Sequence, residues 1–156
     1  MTEENTENQQ RPQLELSIQR IYTKDISFET PNSPQVFTSE WKPQMDLNLG
    51  TDTKKLDEGV FEVTLNVTVT VKNDDKTAFL AEVHQAGIFS LRGIEENRLA
   101  PVFGITCPNI LFPYVREVIS DLVSRGSFPQ LLLSPINFDA LYAQKLQKQQ
   151  EQQPQH

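Results

Sequence analysis

The chain is poor in the residues that most enzyme chemistry needs. It holds one cysteine, Cys107, and two histidines, His84 and His156, among 156 residues. A lone cysteine makes no internal disulfide, which fits a reducing compartment. A zinc centre wants four Cys, His or acidic ligands at short spacing, and the sequence offers no such cluster. Nucleophilic catalysis would have to join Cys107 to His84. Cys107 precedes Pro108 in an apolar run, where a cysteine behaves as an inert small hydrophobe. Gly87 and Gly93 do not make a phosphate loop. The expectation is a protein that is no enzyme and carries no cofactor and no metal. Basic residues are scarce too: 14 Lys and Arg against 21 Asp and Glu, a formal charge of −7. That argues against nucleic acid, whose binding needs clustered cations, and favours a basic partner. The start, Met1-Thr2-Glu3-Glu4-Asn5, lacks the basic and apolar regions of a signal peptide, so a cytoplasmic location is expected.

Long apolar runs are nearly absent. One stretch, Leu99 to Val115, runs 17 residues without a charge. A spanning helix needs about 20 apolar residues, and this run contains Pro101, Pro108 and Pro113, which break helices in their interior. It reads as buried structure, with no direct membrane insertion.

What the chain does have is bulky apolar residues in proline-punctuated stretches. Val36, Phe37 and Trp41 lie between Pro31 and Pro43; Phe128, Leu131 and Leu132 lie between Gly126 and Pro135. Loops usually run over the surface and carry function. Apolar anchors there either fold back onto the core or form a surface for apolar partners.

Residues 1–13 are rich in Glu, Asn, Gln and Thr, and residues 147–156 in Gln. Both are expected to be disordered segments flanking one folded domain, 14–146. Within it, Val60–Lys72 alternates Phe61, Val63, Leu65, Val67, Val69 and Val71 with polar residues, the mark of an antiparallel strand with one wet face. Thr77–Phe89 puts Phe79, Ala81 and Val83 on one face, with Leu80, Glu82 and His84 on the other. Leu16–Glu29 puts Tyr22, Ile26 and Phe28 opposite Asp25, Ser27 and Glu29. Met45–Leu49 reads as a short fourth strand. A helix is expected from about Phe112 to Arg125 with Gly126 past its end, and a second from Asn137, burying Phe138, Leu141, Tyr142 and Leu146. Strands first and helices afterwards imply an α+β fold: a four-stranded antiparallel sheet with two helices packed on one face.

Asp25 and Glu29 share a strand face about 13 Å apart at ~3.3 Å per residue. That is too wide for a glycosidase pair. It suits a basic protein surface, or is simply a solvated face. From Ile110 to Arg125, apolar residues cover roughly 200° of helix surface, against little more than ~100° needed to cover one sheet. The surplus, around Val118 and Leu122, calls for another subunit.

The strings Ile18-Gln19-Arg20-Ile21-Tyr22-Thr23-Lys24-Asp25-Ile26-Ser27-Phe28-Glu29 and Cys107-Pro108-Asn109-Ile110-Leu111-Phe112-Pro113-Tyr114 resemble the SecB family of protein-export chaperones. So does Val123-Ser124-Arg125-Gly126-Ser127-Phe128-Pro129-Gln130-Leu131 with the later Pro135-Ile136-Asn137-Phe138-Asp139-Ala140-Leu141. The resemblance implies a SecB-like fold and a homotetramer built as a dimer of dimers. It implies a chaperone that binds unfolded precursors of exported proteins and delivers them to the SecA ATPase. It places SecA at Asp25, Glu29, Leu80 and Glu82, all on the polar face given by strand parity. Family tails are often acidic, whereas this one carries Lys145 and Lys148. The client groove is expected at Phe28, Val36, Phe37, Trp41, Phe128, Leu131 and Leu132, and the oligomer interface at Val118 and Leu122. The rival reading is a carrier of a small apolar ligand using the same loops.

Overall fold

In the computed structural model, residues 15–152 are described. Four antiparallel strands, β1 (Glu15–Glu29), β2 (Pro43–Asp57), β3 (Val60–Asn73) and β4 (Lys76–Arg92), form one sheet in the order β1-β4-β3-β2. β3 and β4 are central, and β1 and β2 are the edges. The chain therefore crosses from one edge to the other between Glu29 and Pro43, through a short 3-10 turn at Gln35–Thr38. Side chains pin this crossover to the β3–β4 hairpin. Asn32 donates to the Thr77 carbonyl at 2.8 Å. Asn73 accepts from the Lys42 N–H at 2.8 Å and donates to the Glu40 carbonyl at 3.1 Å. The hairpin turn itself uses two residues at positive φ, Asp74 and Asp75, the conformation that matches strand twist in tight hairpins.

Alternation along β3 is realised as read. Val63, Leu65, Val67 and Val69 are fully buried, and Glu62, Asn66, Thr68 and Thr70 point to the other face. Helix α1 (Cys107–Arg125) lies on the apolar face with Leu111, Val115, Ile119 and Val123 buried against the central strands. Helix α2 (Phe138–Glu151) follows; Asn137 caps it, accepting from the Ala140 N–H at 3.0 Å.

Four expectations change. β1 contains irregularities between Ile18 and Arg20 and between Thr23 and Asp25. Each inserts one residue and reverses the alternation, so Tyr22 pairs with Ala86 and reaches Glu62 on the polar face, away from Phe28. β2 runs on to Asp57, because its polar half still pairs with β3. α1 begins at Cys107, and helical backbone extends back through a π turn, Val102–Thr106, to Leu99. The Cys107 N–H reaches back to the Val102 carbonyl; this wider turn leads into Pro108, which falls in the first turn of α1 where a missing N–H costs little. The other end of α1 is as expected, at Arg125 with Gly126 past it, and Ser127 takes the positive φ of 65°. Finally, α2 continues to Glu151, past Leu146, while Leu141 and Leu146 stay 42% and 43% exposed. The reading of 1–13 as disordered lies outside the described residues, as does the end of the tail from residue 153.

Candidate functional site

Two surfaces lie on opposite faces of the sheet. The first is aromatic. After α1, the Phe128 N–H returns to the Val123 carbonyl at 3.3 Å, which turns the following segment back against the crossover. Phe128, only 6% exposed, becomes a hub. Its ring centroid sits 4.9 Å from Phe79, 5.2 Å from Phe37 and 5.8 Å from Trp41. Phe28 joins through Phe79 at 6.0 Å. Gly126 is required by this packing: a Cβ there would stand 2.8 Å from the Phe28 ring.

Exposure divides the expected groove residues. Val36 and Phe128 are buried and form a floor. Phe28, Trp41 and Leu131 are half-buried, and Phe37 is 50% exposed. Leu132, at 67% exposure, stands apart and lines a different groove. That groove, of about 1000 Å³, runs between β1 and α1 and is lined by Ile21, Ile26, Tyr114, Val118 and Leu122 among others. So the two residues expected at an oligomer interface lie together there, with α1 carrying one buried stripe and one only partly covered. A further groove, about 710 Å³, lies between β2 and α2 and includes Leu47, Leu49, Phe103, Leu141, Tyr142 and Leu146. The sequence reading assigned those α2 residues to the core and missed this groove; their helical spacing was visible, but not which layer they would meet.

The second surface is the outer sheet face. Register places Glu29 beside Leu80, Ser27 beside Glu82 and Asp25 beside His84. All four residues expected to contact SecA therefore sit on two adjacent strands. On the next strand they face Thr70, Thr68 and Asn66. His84 Nε2 and Glu82 Oε1 are 2.8 Å apart. Farther along the face, the Tyr22 hydroxyl donates to Glu62, which Lys24 also contacts at 3.1 Å. Burial, then the bond to the Glu62 carboxylate and its charge, push the Tyr22 hydroxyl up to about 12. The same bond, with Lys24, holds Glu62 below the usual carboxylate range. These three hold β1 to β3 across the face, and sequence spacing gives no sign of them because the bulge decides it.

Burial pushes the Cys107 thiol up to about 12, so the reactive thiolate is scarce at neutral pH. Among the described residues, no group of three or more His, Cys, Asp or Glu is placed to hold a metal, and no helix is long and apolar enough to cross a membrane.

Comparison with known proteins follows the same line. The family model described as preprotein translocase subunit SecB matches residues 7–149. The chain is 55% identical over 152 residues to the protein-export protein SecB of Methylococcus capsulatus, covering 97% of this chain and 96% of the relative. It is 54% identical over 151 residues to that of Hydrogenovibrio crunogenus, covering 97% of each. Among solved structures, a SecB-like chaperone of Mycobacterium tuberculosis, in complex with a ChAD peptide from an antitoxin, matches with a TM-score of 0.66 at 20% identity, covering 78% of this chain and 90% of that one. That likeness bears on the fold alone. With the family model and the two relatives spanning nearly the whole chain, the conclusion is direct: this chain belongs to the SecB family of protein-export chaperones.

Proposed function

We propose that this chain acts as a cytoplasmic homotetramer, a dimer of dimers. It holds unfolded precursors of exported proteins on the aromatic surface around Phe128 and passes them to the SecA ATPase, docked on the acidic outer face at Asp25, Glu29, Leu80 and Glu82. The reading involves no catalytic step by this chain. One observation carries it: the apolar surface and the acidic face lie on opposite sides of one sheet. A client and a delivery partner can then be engaged together, neither competing for the other's surface.

Each surface matches its task. Unfolded clients share apolar side chains and not a sequence, and exposed aromatics over a rigid floor accept many such side chains. A single contact binds modestly, since ordering costs offset burial. Several grooves on one oligomer gripping one long chain raise avidity without specificity. The acidic face supplies steering and register for a basic partner. The partly covered stripe of α1, exposed Tyr114 with half-buried Val118 and Leu122, supports assembly, since another protomer's layer would complete its burial.

The test combines two measurements. Binding of denatured and native forms of one secreted protein should differ, with only the denatured form retained. The double reversal Asp25→Lys with Glu82→Lys should weaken SecA binding and leave client binding largely intact, because Asp25 is exposed and Glu82 half-buried on the outer face. Wild-type SecA affinity in the double variant would sink the docking assignment. Equal affinity for native and denatured protein would favour a compact small ligand instead.

A further inference from the structure

The one histidine among the described residues sits inside the acidic face. We propose that His84 makes docking on that face proton-dependent: neutral, it bonds Glu82 without adding charge to the face; protonated, it offsets the Glu82 charge and weakens docking. The inference rests on the docking reading above.

The geometry is specific. His84 Nε2 lies 2.8 Å from Glu82 Oε1, with both side chains partly open to solvent. Across the strand pairs, Asp25 of β1 stands on one side of His84 and Asn66 of β3 on the other. Asn66 is tied to Asp52 of β2 at 2.8 Å. The next charged groups on this face are Glu62, engaged by Tyr22, and two lysines beside it, Lys24, held by Glu62, and Lys54 of β2, opposite Glu62 in register. The ionisable groups nearest in register, Asp25, Glu82 and Asp52, are therefore acidic, and Lys24 is already paired. The helices pack on the opposite face.

Histidine changes charge between about pH 5 and 8. The added proton places a positive charge beside Glu82 and Asp25, two of the four docking residues. A cationic partner then meets a face with less negative charge. The sign follows from linkage: a basic partner seated on this face disfavours the imidazolium, so protonation and docking oppose each other and affinity falls as pH falls. Glutamine at this position would keep a hydrogen-bond donor for Glu82 while removing the titration.

The experiment measures SecA affinity at constant ionic strength at about pH 8 and about pH 5.5, for the full-length wild type and His84→Gln. The quantity compared is the ratio of the two affinities, because SecA's own titration contributes equally to both chains. The wild type should lose about two- to fivefold more than the variant on acidification, the range of a partly exposed ion pair. Equal ratios for the two chains would overturn the proposal. Asp25→Lys with Glu82→Lys, measured at about pH 8, separates the two readings. If that variant binds SecA as wild type does, the docking reading fails and takes this proposal with it. If it binds weakly but the ratios are equal, only the role of His84 fails.

Discussion

Phe37 and Phe128 touch each other, yet removing them should have different consequences. Phe128 is 6% exposed and packs on Phe79, Phe37 and Trp41. Phe128→Ala leaves a cavity under the crossover and should cost about 3–5 kcal/mol of stability. Phe37 is 50% exposed. Full burial of a phenylalanine side chain contributes about 1.5–3 kcal/mol. Half of that, about 0.8–1.5 kcal/mol, already stabilises the chain, and its pairing with Phe128 adds about 0.5–1.5 kcal/mol. The other half is available to a client. Phe37→Ala should therefore cost about 1–3 kcal/mol of stability and weaken binding of unfolded protein by roughly four- to twelvefold, with little added salt dependence.

The assay pairs denaturant unfolding with titration of a denatured secreted protein, each affinity corrected to the folded fraction. Trp41→Ala belongs in the same set. Being half-buried, it should lower both quantities, with about 1–3 kcal/mol lost in client binding if it anchors clients. The reasoning fails if Phe37→Ala destabilises as much as Phe128→Ala while client affinity per folded molecule stays constant. Phe37 and Trp41 would then merely close the core beneath a loop.

Two other outcomes are expected. Val118→Lys or Leu122→Lys, on the partly covered stripe of α1, should turn tetramers into dimers or monomers that remain folded; a wild type that sediments as a monomer at micromolar concentration would refute the assembly reading. Tyr22→Phe should remove a pH dependence at both ends: the raised Tyr22 group contributes stability that is present below its unfolded pKa near 10 and lost as pH rises through about 12, whereas Glu62, held low, contributes stability present above its unfolded pKa and lost as pH falls through its folded one. Wild-type and variant unfolding curves that stay parallel across both windows would show that the contact between Tyr22 and Glu62 contributes nothing.

Much of this architecture was legible because one-sided burial writes itself into alternation. β3 shows it most plainly, since helix α1 covers one face and water meets the other. Parity on β4 likewise put Leu80, Glu82 and His84 together, and Asp25 and Glu29 fell beside them because both lie beyond the second bulge of β1. Tyr22 lies before that bulge and was assigned to the wrong face; an inserted residue leaves no mark in composition. The polar half of β2 went unread because its inward positions, Thr51 and Thr53, line the open groove beside α2 and are themselves polar, so no apolar alternation is displayed. α1 was started too late because prolines were weighed as breakers. Pro101 and Pro108 instead occupy first-turn positions on either side of a π turn, and Pro113 is carried inside the helix. The α2 groove was hidden for another reason: periodicity shows that Leu141 and Leu146 share a helix face, but not that the layer meeting them is incomplete.

The division of labour between the two faces also explains why the outer one can be so polar. A sheet covered on both sides would need apolar residues throughout, as buried strands do. Here one layer of helix suffices for the core, so Asp25, Glu29 and Glu82 are free to be selected for a partner rather than for packing. The aromatic surface has the opposite constraint. Its floor, Val36 and Phe128, is buried and holds the crossover, while its rim, Phe37 and Trp41, stays half-open, as the proposed client surface requires. Asn73 resolves that conflict. Itself buried, it grips Lys42 and Glu40 on either side of Trp41, so the loop is fixed through its backbone and its apolar side chains need not be spent on holding it. A surface that binds unfolded protein has to present hydrophobic groups without collapsing on them, and this anchoring by polar contacts at the base of the crossover is how the chain meets that requirement.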